Sequence, residues 1–175
     1  MRIEAAGLET EALHTLIGNL ISPSPIAFIS TVGRDGVYNA APFSYVAPVC
    51  NKPPVLCISF GLREGRKKDT TRNIEYTRDF VLNVVDEGLI DRAIQAGAAY
   101  PYGVSEIQAL GLTAVAGEMV KSPRIAESPI NVECEVCADG GISPSRLRTV
   151  GRMGRSLYCR TRDAFERKIP PPPKA

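Results

Sequence analysis

The sequence predicts a mainly β domain, a small antiparallel barrel with helices on its outside. Three observations carry this. Strand-like apolar runs outnumber helical patterns. The runs follow one another at hairpin and meander spacing. No regular β-α-β alternation appears, which argues against a doubly wound parallel sheet. The chain's 175 residues are enough for one domain with its own core, and no internal repeat is visible.

In chain order, "TEALHTLIGNL" (10–20) sets Ala12, Leu13, Leu16, Ile17 and Leu20 on one helical face. "PIAFISTV" reads as a strand, and Gly33-Arg34-Asp35-Gly36 as the turn after it. In the next run, "VYNAAPFSYVAPV", Pro42 predicts an edge strand or a bulge. "NKPP" (51–54) is a loop, "VLCISF" (55–60) a strand and "GLREGRKKD" (61–69) a polar loop. Residues 70–78 suit a short helix with Asp69 or Thr70 as N-cap. "DFVLNVVD" (79–86) is a strand. Residues 87–98 suit a helix with Leu89, Ile90, Ala93, Ile94 and Gly97 on one face. Residues 100–111 read as irregular. "LTAVAGEMV" (112–120), "PINVECEVCA" (129–138) and "RSLYCRT" (155–161) complete the strands. The domain is expected to span 1–168, with a Pro-rich tail at 169–175.

Composition narrows the function classes. Hydrophobic content of 44% with 23% charged residues is that of an ordinary soluble protein. A net charge of +2 gives no general reason to expect nucleic acid or an acidic membrane. No run reaches transmembrane length. The start carries Glu4, Glu9 and Glu11, a poor secretory signal. Five scattered cysteines suit free thiols in a reducing cytoplasm. The single histidine, His14, would have to serve any Ser-His-Asp or Cys-His mechanism, and a multi-histidine metal site is excluded. No G-x-G-x-x-G opens a helix after a strand, and "GLREGRKKDT" lacks the phosphate-loop spacing. Cys134 and Cys137 would face opposite sides of a strand, with no second pair to complete a zinc site. The basic residues of "SRLRTVGRMGRSLYCRTRD" read as a solvated face.

Two stretches call for a chemical explanation. Ser30, Thr31, Asn39 and Ser44 lie in or beside apolar runs, where a buried polar group is costly unless bonded. Neighbouring backbone is one partner; a ligand is another. Pro42 could leave the backbone N–H groups near Ala41 and Phe43 open to an outside acceptor. In "RKKDTTRN" (66–73), lysines meet a helix N-terminus, a natural seat for phosphate. A flat nucleotide with an anionic end would satisfy both stretches.

These residues resemble a family. "SPIAFIST", "RDG", "NAAPFSY", "KPP" and "KDTTRNI" follow, in order and at the expected spacing, the pattern of the flavin reductase-like, FMN-binding split-barrel proteins, flavoredoxin among them. "DFVLNVV", "PYGVSEIQALGL", "KSPRIAESP" and "VECEV" continue it. The resemblance covers about residues 10–138 and again about 139–170. It implies a Greek-key split β-barrel with flanking helices, a cytoplasmic homodimer, and FMN near the subunit interface. Matched motif by motif, Ser30 and Thr31 would bond the flavin ring or ribityl chain. Ala41, Pro42, Phe43 and Ser44 would offer backbone and hydroxyl contacts. Lys68, Asp69, Thr70 and Asn73 would surround the phosphate, and Ser59 and Arg63 would lie on the neighbouring strand and loop. Asn39 is expected to be structural.

The resemblance further implies an NAD(P)H-dependent flavin reductase, with hydride passing from nicotinamide to flavin N5 and a monooxygenase or redox protein as partner. It implies no metal and names no catalytic acid or base. The alternative is an FMN-containing electron-transfer protein that does not use NAD(P)H. Two departures stand out. Ser24 occupies a position where the family often has arginine, and the chain is short near 137–141, which predicts a lost strand pair or omitted residues.

Overall fold

The structure, a computed structural model, describes residues 24–51, 54–138 and 156–161, with isolated positions 9, 12 and 15. The expected helix at 10–20 lies outside the described residues except for Ala12 and Thr15, both helical. His14, the junction following Ala138 and the Pro-rich tail also lie outside them.

The strands are β1 (Ala27–Val32), β2 (Tyr38–Phe43), β3 (Val46–Asn51), β4 (Pro54–Ser59), β5 (Asp79–Val84), β6 (Ala114–Val115), β7 (Arg124–Ile125), β8 (Asn131–Ala138) and β9 (Ser156–Thr161). The helices are α1 (Asp69–Thr77), α2 (Ile90–Gln95) and α3 (Glu106–Ala109). Seven strands form one antiparallel sheet in the order β2-β1-β5-β8-β9-β4-β3, and β6 pairs with β7 apart from it.

This order forces curvature. β2 and β3 are the two edges of the sheet, yet only Ser44 and Tyr45 join them. A flat sheet of this width would hold its edges about 29 Å apart. Three Cα steps reach at most about 11 Å. The sheet therefore curls, bringing the end of β2 and the start of β3 together at Ser44-Tyr45. The Phe43 and Phe60 rings sit edge-to-face at 4.7 Å, and the Ser59 N–H donates to the Tyr45 carbonyl at 2.9 Å. Among the described residues no ladder joins β2 to β3.

β1 is buried on both faces, which is why its sequence is apolar apart from Ser30 and Thr31. Ala27 and Ile29 join Phe43, Ile58, Phe60, Phe80 and Leu82 inside the curl, where Ile74 of α1 also packs. Phe28 faces the other way, into a second cluster with Leu89, Ala93, Ile107 and Ile125 under α2 and α3.

Pro42 sits in the outermost strand, as its sequence demanded. Its partner is Phe28. The Gly33 N–H bonds the Val37 carbonyl, and the Ala40 N–H leaves the sheet for Glu106. By alternation, positions 39, 41 and 43 bond β1, while 38, 40 and 42 point outward. The missing N–H of Pro42 thus costs the ladder nothing. The same alternation corrects one expectation: the N–H groups of Ala41 and Phe43 face β1 and are not open to an outside acceptor.

Other differences have local causes. The expected strand at 112–120 shortens to Ala114–Val115 because the chain beyond it hangs on buried carboxylates. Glu133 accepts from the Glu118 and Met119 N–H groups at 2.8 and 2.7 Å; Asp79 accepts from those of Lys121 and Ser122 at 3.1 and 3.2 Å. The N-cap of α1 is Lys68, not Asp69 or Thr70, because the Thr70 hydroxyl turns away to bond Asn39 at 2.8 Å. α3 was not expected.

Candidate functional site

A cavity of about 240 Å³ opens where α1 begins, between the outer edge of β2, the 63–68 loop and the segment 96–102. Ala41 and Pro42 form its wall on β2. Lys68, Asp69 and Thr70 enter it from the start of α1, and Arg63 and Arg66 from the loop. Gly97 lets the chain after α2 come close: a Cβ there would lie 3.3 Å from Pro42 Cγ.

The cavity rests on a buried polar web. Asn39 is its centre. Its Oδ1 accepts from Thr70 at 2.8 Å and Thr31 at 3.3 Å, and its Nδ2 donates to Glu106 Oε2 at 2.8 Å. Asn73 Nδ2 donates to Thr31 Oγ1 at 3.0 Å. Glu106 Oε2 also accepts the Ala40 N–H at 3.1 Å. This web fixes the first turn of α1 against β2, and so fixes where its N–H groups point.

Charge at the site is uneven. Lys67 is bound by Glu75 at 2.8 Å, and Arg72 faces Asp69 at 3.6 Å. Among the described residues, Lys68 has no carboxylate within ion-pair distance; its Nζ lies 5.2 Å from the centre of the Phe43 ring. Burial, and then the Arg63 guanidinium, push the Lys68 ammonium below the usual lysine range. No side chain caps the N-terminus of α1, so its first N–H groups keep their partial positive charge. Burial above all pushes the Glu106 carboxyl above the usual range, with Asp69 adding to the effect against the hydrogen bonds the carboxylate accepts. An anion entering the cavity would meet a half-buried ammonium and a helix N-terminus together. The arrangement suits a phosphoryl group.

Of the residues expected from sequence, the structure brings Ala41, Pro42, Arg63, Lys68, Asp69 and Thr70 to this cavity. It does not bring Ser30, Thr31, Phe43, Ser44, Ser59 or Asn73 to the lining. Ser30 is fully buried, donates to the Pro123 carbonyl and accepts from Asn83 Nδ2. Thr31 and Asn73 belong to the web beneath. The Phe43 ring lies under Lys68. Ser44 is exposed at the β2–β3 link, and Ser59 is half-buried beside Tyr45. Asn39, expected to be structural, holds the web together and also lines the cavity. Sequence reasoning missed Glu106, Arg66, Tyr100 and Tyr102. A signal for Glu106 existed: in "SEIQ", Ser105 caps α3 by accepting the Gln108 N–H, the start of a capping box.

The structure is thus a curled antiparallel sheet with a basic cavity at the start of a helix. The chain belongs to the flavin reductase-like domain family, whose model matches residues 20–151. It is 38% identical over 127 residues to an uncharacterized protein of Aquifex aeolicus, covering 72% of this chain and 65% of that one. It is 31% identical over 197 aligned positions to an uncharacterized protein of Halalkalibacterium halodurans, covering 94% of each. Among solved structures, nitrilotriacetate monooxygenase component B from Bacillus cereus superposes with a TM-score of 0.82 at 28% identity, covering 92% of this chain and 78% of that one.

Proposed function

We propose that this chain is an FMN-binding flavin oxidoreductase that uses NAD(P)H to reduce its flavin. The observation that carries the reading is Lys68. A half-buried ammonium with no carboxylate partner among the described residues, beside an uncapped helix N-terminus, is electrostatically incomplete. The terminal phosphate of FMN completes it, so the residues present fit the group.

In this reading Lys68 holds the phosphate through its ammonium, and Asp69 and Thr70 through their backbone N–H groups at the start of α1, while the Thr70 hydroxyl stays on Asn39. Arg63 adds charge, and Ala41 and Pro42 offer a flat apolar wall to the ring. When bound, the flavin supplies the hydride-accepting chemistry. The chain's own residues bind, orient and keep water from the ring. Thr31, Asn39, Asn73 and Glu106 act from beneath, holding α1 in register with β2. Family membership supports the flavin. The Bacillus cereus protein of similar fold is a monooxygenase component, which supports a monooxygenase partner here. A cytoplasmic homodimer belongs to the same reading.

The test is anaerobic. Purified protein is loaded with FMN, then mixed with NADH and separately with NADPH, while the visible flavin band is followed. Bleaching with one nucleotide supports the reading. A flavin that stays bound and yellow with both overturns the NAD(P)H step and leaves an FMN-holding electron carrier.

A further inference from the structure

We infer that Glu106 is a positioning residue that links the cavity to protons: an anion seated at the start of α1 and a proton on the Glu106 carboxyl are bound together, and ionised Glu106 loosens the anion. The inference rests on the reading of the cavity as an anion seat, and its own evidence is the placement of Glu106.

Glu106 is only 6% exposed, yet it lines the cavity. Its Oε2 accepts both the Asn39 amide and the Ala40 N–H. Among the described residues no other residue's donor reaches Oε1, and no basic side chain lies within ion-pair distance of the carboxyl. The floor of a basic cavity thus holds a carboxyl with no cation of its own. Its link to the anion seat is short. Asn39 Nδ2 donates to Glu106, and Asn39 Oδ1 accepts from Thr70 in the first turn of α1, so one amide separates the carboxyl from the helix start. A glutamine would offer Asn39 and Ala40 the same acceptor. What the carboxyl adds is a charge that a proton removes.

The charged groups around it come from every neighbouring element. α1 brings Lys68, Asp69 and Arg72, with Arg72 facing Asp69 at 3.6 Å. The loop before it brings Arg63, Glu64, Arg66 and Lys67, with Lys67 held by Glu75. The segment 96–102 adds the phenols of Tyr100 and Tyr102. β2 adds Tyr38, packed in the apolar cluster of Ile107, and α2 carries Asp91 and Arg92, the latter 3.9 Å from Glu127. Burial, and after it the Asp69 charge, keep the Glu106 carboxyl protonated to a higher pH than usual, against the hydrogen bonds it accepts. An anion at the start of α1 lies beside Asp69 and adds charge of the same sign, in a cavity where screening is weaker than in water. At low pH Glu106 is neutral with or without ligand, and affinity stands at its higher plateau. In the window above the free protein's carboxyl pKa and below that of the complex, binding takes up a proton and affinity falls as pH rises. Above both, Glu106 is ionised throughout and affinity stands at its lower plateau.

The probes are inorganic phosphate and FMN, each titrated calorimetrically into wild type and Glu106→Gln from about pH 5 to 8, in buffers of different ionisation heat. The phosphoryl group, Asp69 and Lys68 are common to both proteins, so the difference in protons taken up belongs to Glu106. Wild type should take up more protons than the variant, and its affinity relative to the variant should fall about fivefold or more between the plateaus. A second measurement needs no affinities. The infrared difference spectrum of wild type on adding inorganic phosphate, which has no carbonyl of its own, should gain the band of a protonated carboxyl, and Glu106→Gln should lack it. Equal proton uptake by the two proteins, or no such band in wild type, overturns the inference. Should phosphate bind with a proton on Glu106 while FMN does not bind, the inference stands and the flavin reading falls. FMN bound with equal proton uptake by both proteins gives the reverse. A wild type that binds neither probe overturns both.

Discussion

Asn39 Nδ2 donates to Glu106 Oε2 at 2.8 Å, across 67 residues of chain. The bond ties the outer edge of β2 to a helix of one turn that would not stand alone. The same asparagine receives Thr31 and Thr70, so α1, β1, β2 and α3 meet at one amide. Asn39→Ala would strip partners from three buried groups at once. The expected loss is about 2–4 kcal/mol in urea unfolding. A loss under about 0.5 kcal/mol would mean that the web is incidental.

Glu106 should make stability fall with pH. Its folded pKa is raised from the ordinary 4.5, mainly by burial. The folded chain therefore keeps a proton that the unfolded chain releases, and the associated stability is lost as pH rises from that ordinary value through the raised one. Glu106→Gln keeps an acceptor for Asn39 and Ala40 and cannot ionise. Urea midpoints from pH 4 to 8 should show the glutamine variant gaining on wild type as pH rises. Parallel curves would count against the buried carboxylate.

Lys68 should set the alkaline limit of anion binding. Its pKa is depressed from 10.5 by burial and then by Arg63. Phosphate-bearing ligands should therefore begin to weaken at a lower pH than an ordinary lysine allows, and binding there should take up a proton. Calorimetry in buffers of different ionisation heat reads that uptake directly. Lys68→Met should abolish both effects.

Gly117→Ala tests the loop that hangs on Asp79 and Glu133. An added Cβ would lie 2.6 Å from the Val120 carbonyl and 2.8 Å from that of Ser122, both backbone atoms that cannot swing aside. The expected destabilisation is about 1–3 kcal/mol, with FMN affinity unchanged because the loop does not line the cavity. Thermal melts and a flavin titration check the pair of outcomes.

Much of this was legible locally. β1 and β5 announced themselves as largely apolar runs because both of their faces are buried. Pro42 marked an edge strand because only an outward-facing position tolerates a missing N–H. The run 37–49 hid two strands, since nothing in Ser44-Tyr45 says that the sheet must be crossed there. The cavity lining at Lys68, Asp69 and Thr70 was readable because these residues are consecutive at the start of α1. Its supports were not. Glu106 and Asn39 meet only through the fold, and Ser30 finds Pro123 from 93 residues away. Two of the hydroxyls that called for a partner found protein ones: Ser30 bonds Pro123 and Asn83, and Thr31 bonds Asn39 and Asn73.

One comparison reaches the central claim, that Lys68 and the start of α1 receive a phosphoryl group on a flavin: paired titrations of FMN and riboflavin, which differ only in that group. Wild type should bind FMN about tenfold or more tightly over riboflavin, and Lys68→Met should close most of the gap. Equal binding of the two by wild type, or an unchanged gap in the variant, would contradict the account.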